Sequence, residues 1–341
     1  MMMNFNLMTF MSLLIISIMI GINSNSMLFF WMTIEINMMS FIPIMIFYNK
    51  FYNDSPMKYL LIQSFSSSFM IFFSIFTYIS MSPLIFLMTT FISIFIKLGV
   101  APFFYWYLNM LINMSWMNCL ILLTVQKILP FYILNYFTKF FNFMNLYIYY
   151  IFYSLILINS IISISLIYST NSIKFLLGLS SLNHMSWLMF NLTLNFKMWL
   201  TYYLIYSLTL TNMIYYLNYF KINFLNQLPL IYSNTFNLKM FMFITIMTMM
   251  SLPPMTTFFL KSWSIFFFSK YNLNMFMYIM MMMSIIMFFF YMKLFLPSFT
   301  WFSLNMNNNI NYNIKIFNMN KFIKINLLLI ASILFYWTLN F

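Results

Sequence analysis

Eleven predominantly apolar runs follow one another along this chain, at 5–22, 27–48, 57–80, 84–107, 116–137, 146–168, 172–193, 199–220, 240–266, 274–296 and 322–340. A helix crossing the hydrocarbon core needs about 20 such residues. In lipid only helices and closed barrels satisfy their own backbone groups, and runs of this length read as helices. The sequence therefore predicts an all-α polytopic membrane protein of about 11 transmembrane helices, a single transmembrane domain over 1–341. Residues 5–22 imitate a secretory signal, but no positive segment precedes them and further runs follow, so they read as the first helix of the mature chain.

Composition excludes the alternatives. Of 341 residues, 64% are hydrophobic and 5% charged, whereas a soluble surface is about 25–35% charged. Disordered chains are likewise charge-rich. A net charge of +13 would suggest nucleic acid for a soluble protein; on a membrane chain it does not, and no nucleic-acid partner is expected. All fifteen basic residues are Lys, and the excess of Phe, Met, Tyr, Ile, Asn and Lys over Gly and Arg follows A/T-rich codons. The Met count fits a code that reads ATA as Met, as many animal mitochondria do. Cys119 is the only cysteine and reads as a small buried apolar residue. His184 is the only histidine, so paired axial haem ligands and multi-His copper centres are lacking. Gly21, Gly99 and Gly178 lie too far apart for a phosphate loop. No redox cofactor is expected in this chain.

Two runs break the simple pattern. Lys97-Leu-Gly-Val-Ala-Pro-Phe interrupts the fourth with Gly99 and Pro102, and Leu252-Pro253-Pro254 interrupts the ninth, which also carries Lys261. Proline removes a helical donor and clashes with a preceding carbonyl, so the helix must break. Broken helices at matching places in two halves point to a transport site. Pro102 and Pro254 lie 152 residues apart, and Glu35 and His184 lie 149 apart. The spacing pairs helix 4 with helix 9, giving a first five-helix repeat over 5–137, a second over 146–296 and a final helix at 322–340. With eleven spans, Lys50, Lys58, Lys174, Lys221, Lys239, Lys315, Lys321 and Lys324 share the N-terminal side, while Lys139, Lys197 and Lys270 take the other. The positive-inside rule then predicts the N-terminus on the positive side, the matrix in a mitochondrion.

Four charges fall well inside these runs: Glu35, Lys97, Lys127 and Lys261. Each costs about 2.5–3.5 kcal/mol at a helix centre on the insertion scale. A structural ion pair would account for Glu35 with Lys97, but one carboxylate cannot neutralise three lysines. Buried amines that exchange between neutral and charged forms read as a proton relay. His184, among Ser180, Ser181, Asn183 and Ser186, is either a satisfied core histidine or a relay member. Lys293, near the end of its run, is within snorkelling reach of the interface.

These residues carry a family resemblance. Trp31-Met-Thr-Ile-Glu35-Ile-Asn37, Lys97-Leu-Gly-Val-Ala-Pro102-Phe, Trp116-Met-Asn118 with Gln126-Lys127-Ile-Leu-Pro130, Ser180-Ser-Leu-Asn183-His184, and Leu252-Pro253-Pro254 with Lys261 resemble, in order and spacing, the NADH dehydrogenase subunit 2 family of animal mitochondria. That family supplies an antiporter-like membrane subunit of respiratory complex I. The resemblance implies two inverted five-helix repeats with broken helices 4 and 9. It makes Glu35 and Lys97 a coupled pair, puts Lys127 on a central polar axis and has Lys261 lead towards one face. The chain departs from the family at Phe104, where His is usual, at Thr33, Ser186 and Thr257, where Gly is usual, and at Leu260, where Pro is usual.

From this follow the expectations to be tested. Glu35 and Lys97 lie in direct or one-water contact. Lys97, Lys127 and Lys261 line one polar axis, with His184 between the last two. NADH, FMN, Fe–S clusters and ubiquinone belong to partner subunits; the partners are other membrane-arm subunits, including antiporter-like neighbours, and lipids. The location is the mitochondrial inner membrane. A free-standing cation/proton antiporter and a purely structural subunit are the rival readings. Cytochrome b and oxidase core subunits fail for want of His, and the ATP synthase proton channel fails for want of Arg.

Overall fold

The computed structural model describes residues 5–24, 26–48, 54–80, 83–141, 146–227, 244–253, 255–270 and 273–300. The expected 322–340 span, the 303–321 connection, Pro254, Lys50, Lys239, Lys315, Lys321 and Lys324 lie outside these residues, as do the side chains of Lys139 and Lys293. The helices are α1 (Phe5–Asn23), α2 (Met27–Tyr48), α3 (Ser55–Ser80), α4 (Pro83–Leu98), α5 (Phe104–Asn113), α6 (Trp116–Leu123), α7 (Val125–Phe141), α8 (Leu146–Ser165), α9 (Ile173–Leu194), α10 (Phe196–Phe220), α11 (244–250), α12 (Thr256–Lys270) and α13 (Asn274–Thr300). Among the described residues five segments are long and apolar enough to cross a membrane: Phe5–Asn23, Met27–Tyr48, Trp116–Thr138, Tyr149–Tyr168 and Asn274–Met292. Helices α3, α9 and α10 have 26, 22 and 25 residues but carry more Ser, Thr, Asn and Tyr.

Hydroxyls along the helices bond locally. Ser17, Thr33, Ser40, Ser66, Ser93 and Ser186 each donate to the carbonyl three residues back, at 2.6–2.8 Å. A hydroxyl that bonds its own helix can sit in an apolar interior without a tertiary partner.

The chain divides into two compact units between Ile162 and Ser163. In the first, α2 packs on α1, α3, α6 and α7. Gly21 of α1 makes room for this: a Cβ there would run into Leu129 and lie 3.2 Å from Thr33 Oγ1. In the second, α9 is the centre, with every residue from Leu176 to Leu192 buried and α10, α12 and α13 against it. Its buried face includes polar groups, Ser180, Ser181, Asn183, His184, Ser186 and Asn191, which marks it as an interior helix of the unit rather than one facing lipid. Helix α13 has the opposite character, exposing Met275, Tyr278, Met282 and Phe289 at 61–77%, the surface of a helix facing lipid or another subunit.

Both expected breaks form, and they are the same local structure. At the first, Gly99 takes φ +64°, its N–H bonds Ile96 O and the Val100 N–H bonds Phe95 O. At the second, Ser251 takes φ +57°, with Ser251 N–H on Thr248 O and Leu252 N–H on Met247 O. Each pair of bonds is a Schellman cap, whose terminal residue must be left-handed. The next bond repeats too: Phe103 N–H on Val100 O, Met255 N–H on Leu252 O, both at 2.8 Å. A side chain then ties the halves together at the equivalent carbonyl, Trp106 Nε1 donating to Ile96 O at 3.0 Å and Thr257 Oγ1 donating to Thr248 O. Every backbone position in the second break lies 152 residues beyond its counterpart, the offset of Pro102 and Pro254.

One break was unexpected. The run 116–137 is not a single helix: it stops at Leu123 and resumes at Val125. Thr124 leaves the helical range at φ −115°, ψ −83°, and its hydroxyl turns back to Leu120 O at 2.7 Å. Pro130, one and a half turns on, removes a further donor from the same span. Likewise the end of 146–168 tightens into a 3₁₀ turn, Leu166–Ser169.

Candidate functional site

In the first unit, Lys97 and Lys127 open on one chamber of about 30 Å³. That volume holds at least one water. Lys97 stands in the last turn of α4, where a cation is favoured by the helix dipole. It is 7% exposed, and among the described residues its Nζ has no hydrogen-bond partner. A buried amine in that position has to be solvated. Lys127, 3% exposed on α7, donates to the Tyr107 hydroxyl at 3.0 Å and sits 5.0 Å from the centre of that ring.

Of the direct or one-water contact expected between Glu35 and Lys97, the direct form is not made, since Lys97 Nζ has no hydrogen-bond partner among the described residues. The amine faces the chamber instead. Glu35 is half-buried on α2, between exposed Met32 and Met39. Those two positions lie on its own helix face, so the carboxylate stands at the edge of the unit.

Amides build the chamber wall. Tyr59 OH donates to Gln126 Oε1 at 3.1 Å, Gln126 Nε2 donates to Asn37 Oδ1 at 2.9 Å, and Gln63 Nε2 reaches Lys97 O at 3.4 Å. At the neighbouring break Asn159 Oδ1 accepts from Ala101 N–H at 3.2 Å. Asn37 and Gln126 stood in the recognised motifs, but their role in the wall did not. Tyr59 and Gln63 were missed, although their spacing of four on one helix was the available signal. Tyr107 gave no signal among 25 tyrosines.

In the second unit, Lys261 lies on the second turn of α12, yet its Nζ reaches back across the break and donates to Ser251 Oγ. Both amines thus end beside the C-terminal end of the half-helix that precedes their break, one from within it and one from the far side. Lys261 also lies 5.8 Å from the ring of Trp187. His184 Nδ1 is 2.9 Å from Tyr202 OH on α10. Ser181 and Ser186, which flank His184, donate to carbonyls of their own helix. A cavity of about 10 Å³ is lined by both His184 and Lys261, together with Asn183 and Tyr291. The two residues are therefore brought together, as are Lys97 and Lys127.

Two buried lysines on a polar chamber beside a broken helix, and the same break repeated on a lysine in the second unit, are features of a transport protein. A family model described as NADH:quinone oxidoreductase/Mrp antiporter, transmembrane, matches residues 24–287. The chain belongs to this family. Within the antiporter-like family it is 35% identical over 324 residues to NADH-ubiquinone oxidoreductase chain 2 of Rhipicephalus sanguineus, covering 94% of this chain and 96% of that one. It is 31% identical over 312 residues to the chain of the same name in Anopheles gambiae, covering 88% and 87%. Among solved structures, a chain of the membrane-bound sulfane sulfur reductase, an archaeal respiratory membrane complex, shares the fold with a TM-score of 0.83 at 13% identity, over 97% of this chain and 73% of that chain. Respiratory complex I from Thermus thermophilus contains another, with a TM-score of 0.76 at 16% identity, over 86% and 71%. The antiporter-like fold is shared by all three, whatever their sequences have become.

Proposed function

We propose that this chain is a proton-translocating membrane-arm subunit of NADH:ubiquinone oxidoreductase, respiratory complex I, in the mitochondrial inner membrane. The observation that carries the reading is the water-sized chamber onto which Lys97 and Lys127 both open. Family membership and the chain 2 relatives support the same assembly. The finer arrangement follows the sequence: about eleven spans in two inverted five-helix repeats plus a final helix, with the N-terminus in the matrix. Redox groups and ubiquinone belong to partner subunits, and antiporter-like neighbours flank this one.

The mechanism is electrostatic. The Glu35 carboxylate favours the ammonium at Lys97. A charge or conformational change in a neighbouring subunit acts first on Glu35, because that carboxylate stands at the edge of its unit. When its field weakens, the Lys97 proton passes through chamber water to Lys127, and His184 and Lys261 continue the path. Lys127→Met keeps bulk and removes the amine, which separates this reading from a structural subunit. The expected outcome is a complex that assembles, as judged by native-gel migration with NADH dehydrogenase activity, and pumps fewer protons per electron. Unchanged stoichiometry would leave the subunit a scaffold.

A further inference from the structure

The relay proposed above leaves open which group carries the proton over the last step to Lys127. Tyr107 is the candidate the geometry singles out. It is 1% exposed, it lines the same chamber as Lys97 and Lys127, and its oxygen lies 3.0 Å from Lys127 Nζ. The other chamber tyrosine is committed elsewhere: the Tyr59 hydroxyl donates to the amide oxygen of Gln126, a group that does not hand protons on. Tyr107 stands in the first turn of α5, just past the break, and the break itself fixes it. A Cβ at Gly99 would come within 2.5 Å of Tyr107 Cβ and 2.9 Å of its Cγ. Only the bare backbone of a glycine lets the ring seat there, and Gly99 lies two residues from Lys97.

We propose that Tyr107 is the proton-passing hydroxyl between the chamber and Lys127, positioned by Gly99. In this step chamber water, protonated by Lys97, gives a proton to the Tyr107 oxygen. The O–H bond that Tyr107 already had breaks, and that proton forms the third N–H bond of a neutral Lys127. Tyr107 ends as it began, Lys97 is left neutral and Lys127 charged. One proton has moved, and no other group has changed.

The inference rests on the proposed relay and can fail separately from it. In the assembled complex, Tyr107→Phe removes the oxygen and keeps the ring over Lys127 and against Gly99. The expected result is normal assembly and normal electron transfer from NADH to a soluble acceptor. Proton pumping falls by about tenfold or more, the scale of a lost proton-transfer group, and its solvent deuterium isotope effect rises. A purely structural tyrosine would leave the isotope effect unmoved. Wild-type pumping in Tyr107→Phe beside impaired pumping in Lys127→Met overturns this inference and keeps the relay; wild-type pumping in both overturns the two together. Should Tyr107→Phe not assemble, Tyr107→Gln, which still offers Lys127 an acceptor, is expected to assemble with the same loss. A complex that assembles with neither residue makes Tyr107 a packing group and overturns the proposal.

Discussion

The two broken helices share their backbone and differ in what occupies it. At the left-handed position the first break has Gly99 and the second has Ser251. The first break keeps its amine, Lys97, off its own cap and turned to a chamber walled by amides. Its second-unit counterpart binds Lys261 to the cap through the serine hydroxyl, and both of the chain's carboxylates, Glu35 and Asp54, belong to the other unit. One backbone motif thus supports two surroundings for a buried amine, a water-sized polar chamber in the first unit and a fixed hydroxyl in the second.

Exchanging the cap residues is the harshest way to break this comparison. Gly99→Ser puts a side chain at φ +64° against Tyr107. Left-handed strain and overpacking together cost about 3 kcal/mol or more. The assembled complex on a native gel should fall below about a tenth of wild type, since each 1.4 kcal/mol is about tenfold. Wild-type assembly would mean that the two breaks are interchangeable.

A smaller effect is expected from Gln126→Leu, which cuts the amide chain that only the first site has. Tyr59 OH and Asn37 Oδ1 lose their shared partner, at about 1–3 kcal/mol for buried groups left unpaired. Thermal dissociation of the complex should begin at lower temperature; no shift would mean that the chamber wall is not held by these bonds.

The reverse exchange, Ser251→Gly, should change stability least. Removing a left-handed side chain relieves about 1–2 kcal/mol, and losing the bond from the Lys261 ammonium costs about 1.5–3 kcal/mol. The two nearly cancel, so the melting temperature should move little while turnover falls severalfold. Ser251→Ala keeps the strain and loses the bond, and should melt lower than Ser251→Gly. Equal melting of the two would show that φ +57° costs nothing at this site.

Much of this was written in the residue order. Apolar runs of about 20 residues announce the helices because a helix satisfies its own backbone in lipid, and Gly99 with Pro102, and Pro253, announce the breaks because glycine takes the left-handed cap without strain and proline removes a helical donor. Lys97, Lys127 and Lys261 announce themselves by cost. Thr124 does not: threonine is ordinary in a helix, and its interruption depends on how the span around it packs. Ser251 was equally silent, since most serines here bond their own helix and only the cap turns this one outward. Tyrosines are too common in this chain for Tyr107 or Tyr202 to stand out. The Glu35–Lys97 pair was legible as two residues, but whether they touch depends on how α2 and α4 are packed rather than on spacing along either.

Lys261 grows from one half-helix and is fastened to the end of the other, so it acts as a strut across the gap between them. An ammonium grips a hydroxyl roughly twice as strongly as a neutral amine does. Charging this strut tightens it and discharging it slackens it, so in the proposed relay a proton passing through Lys261 would also change the mechanical stiffness of the second break.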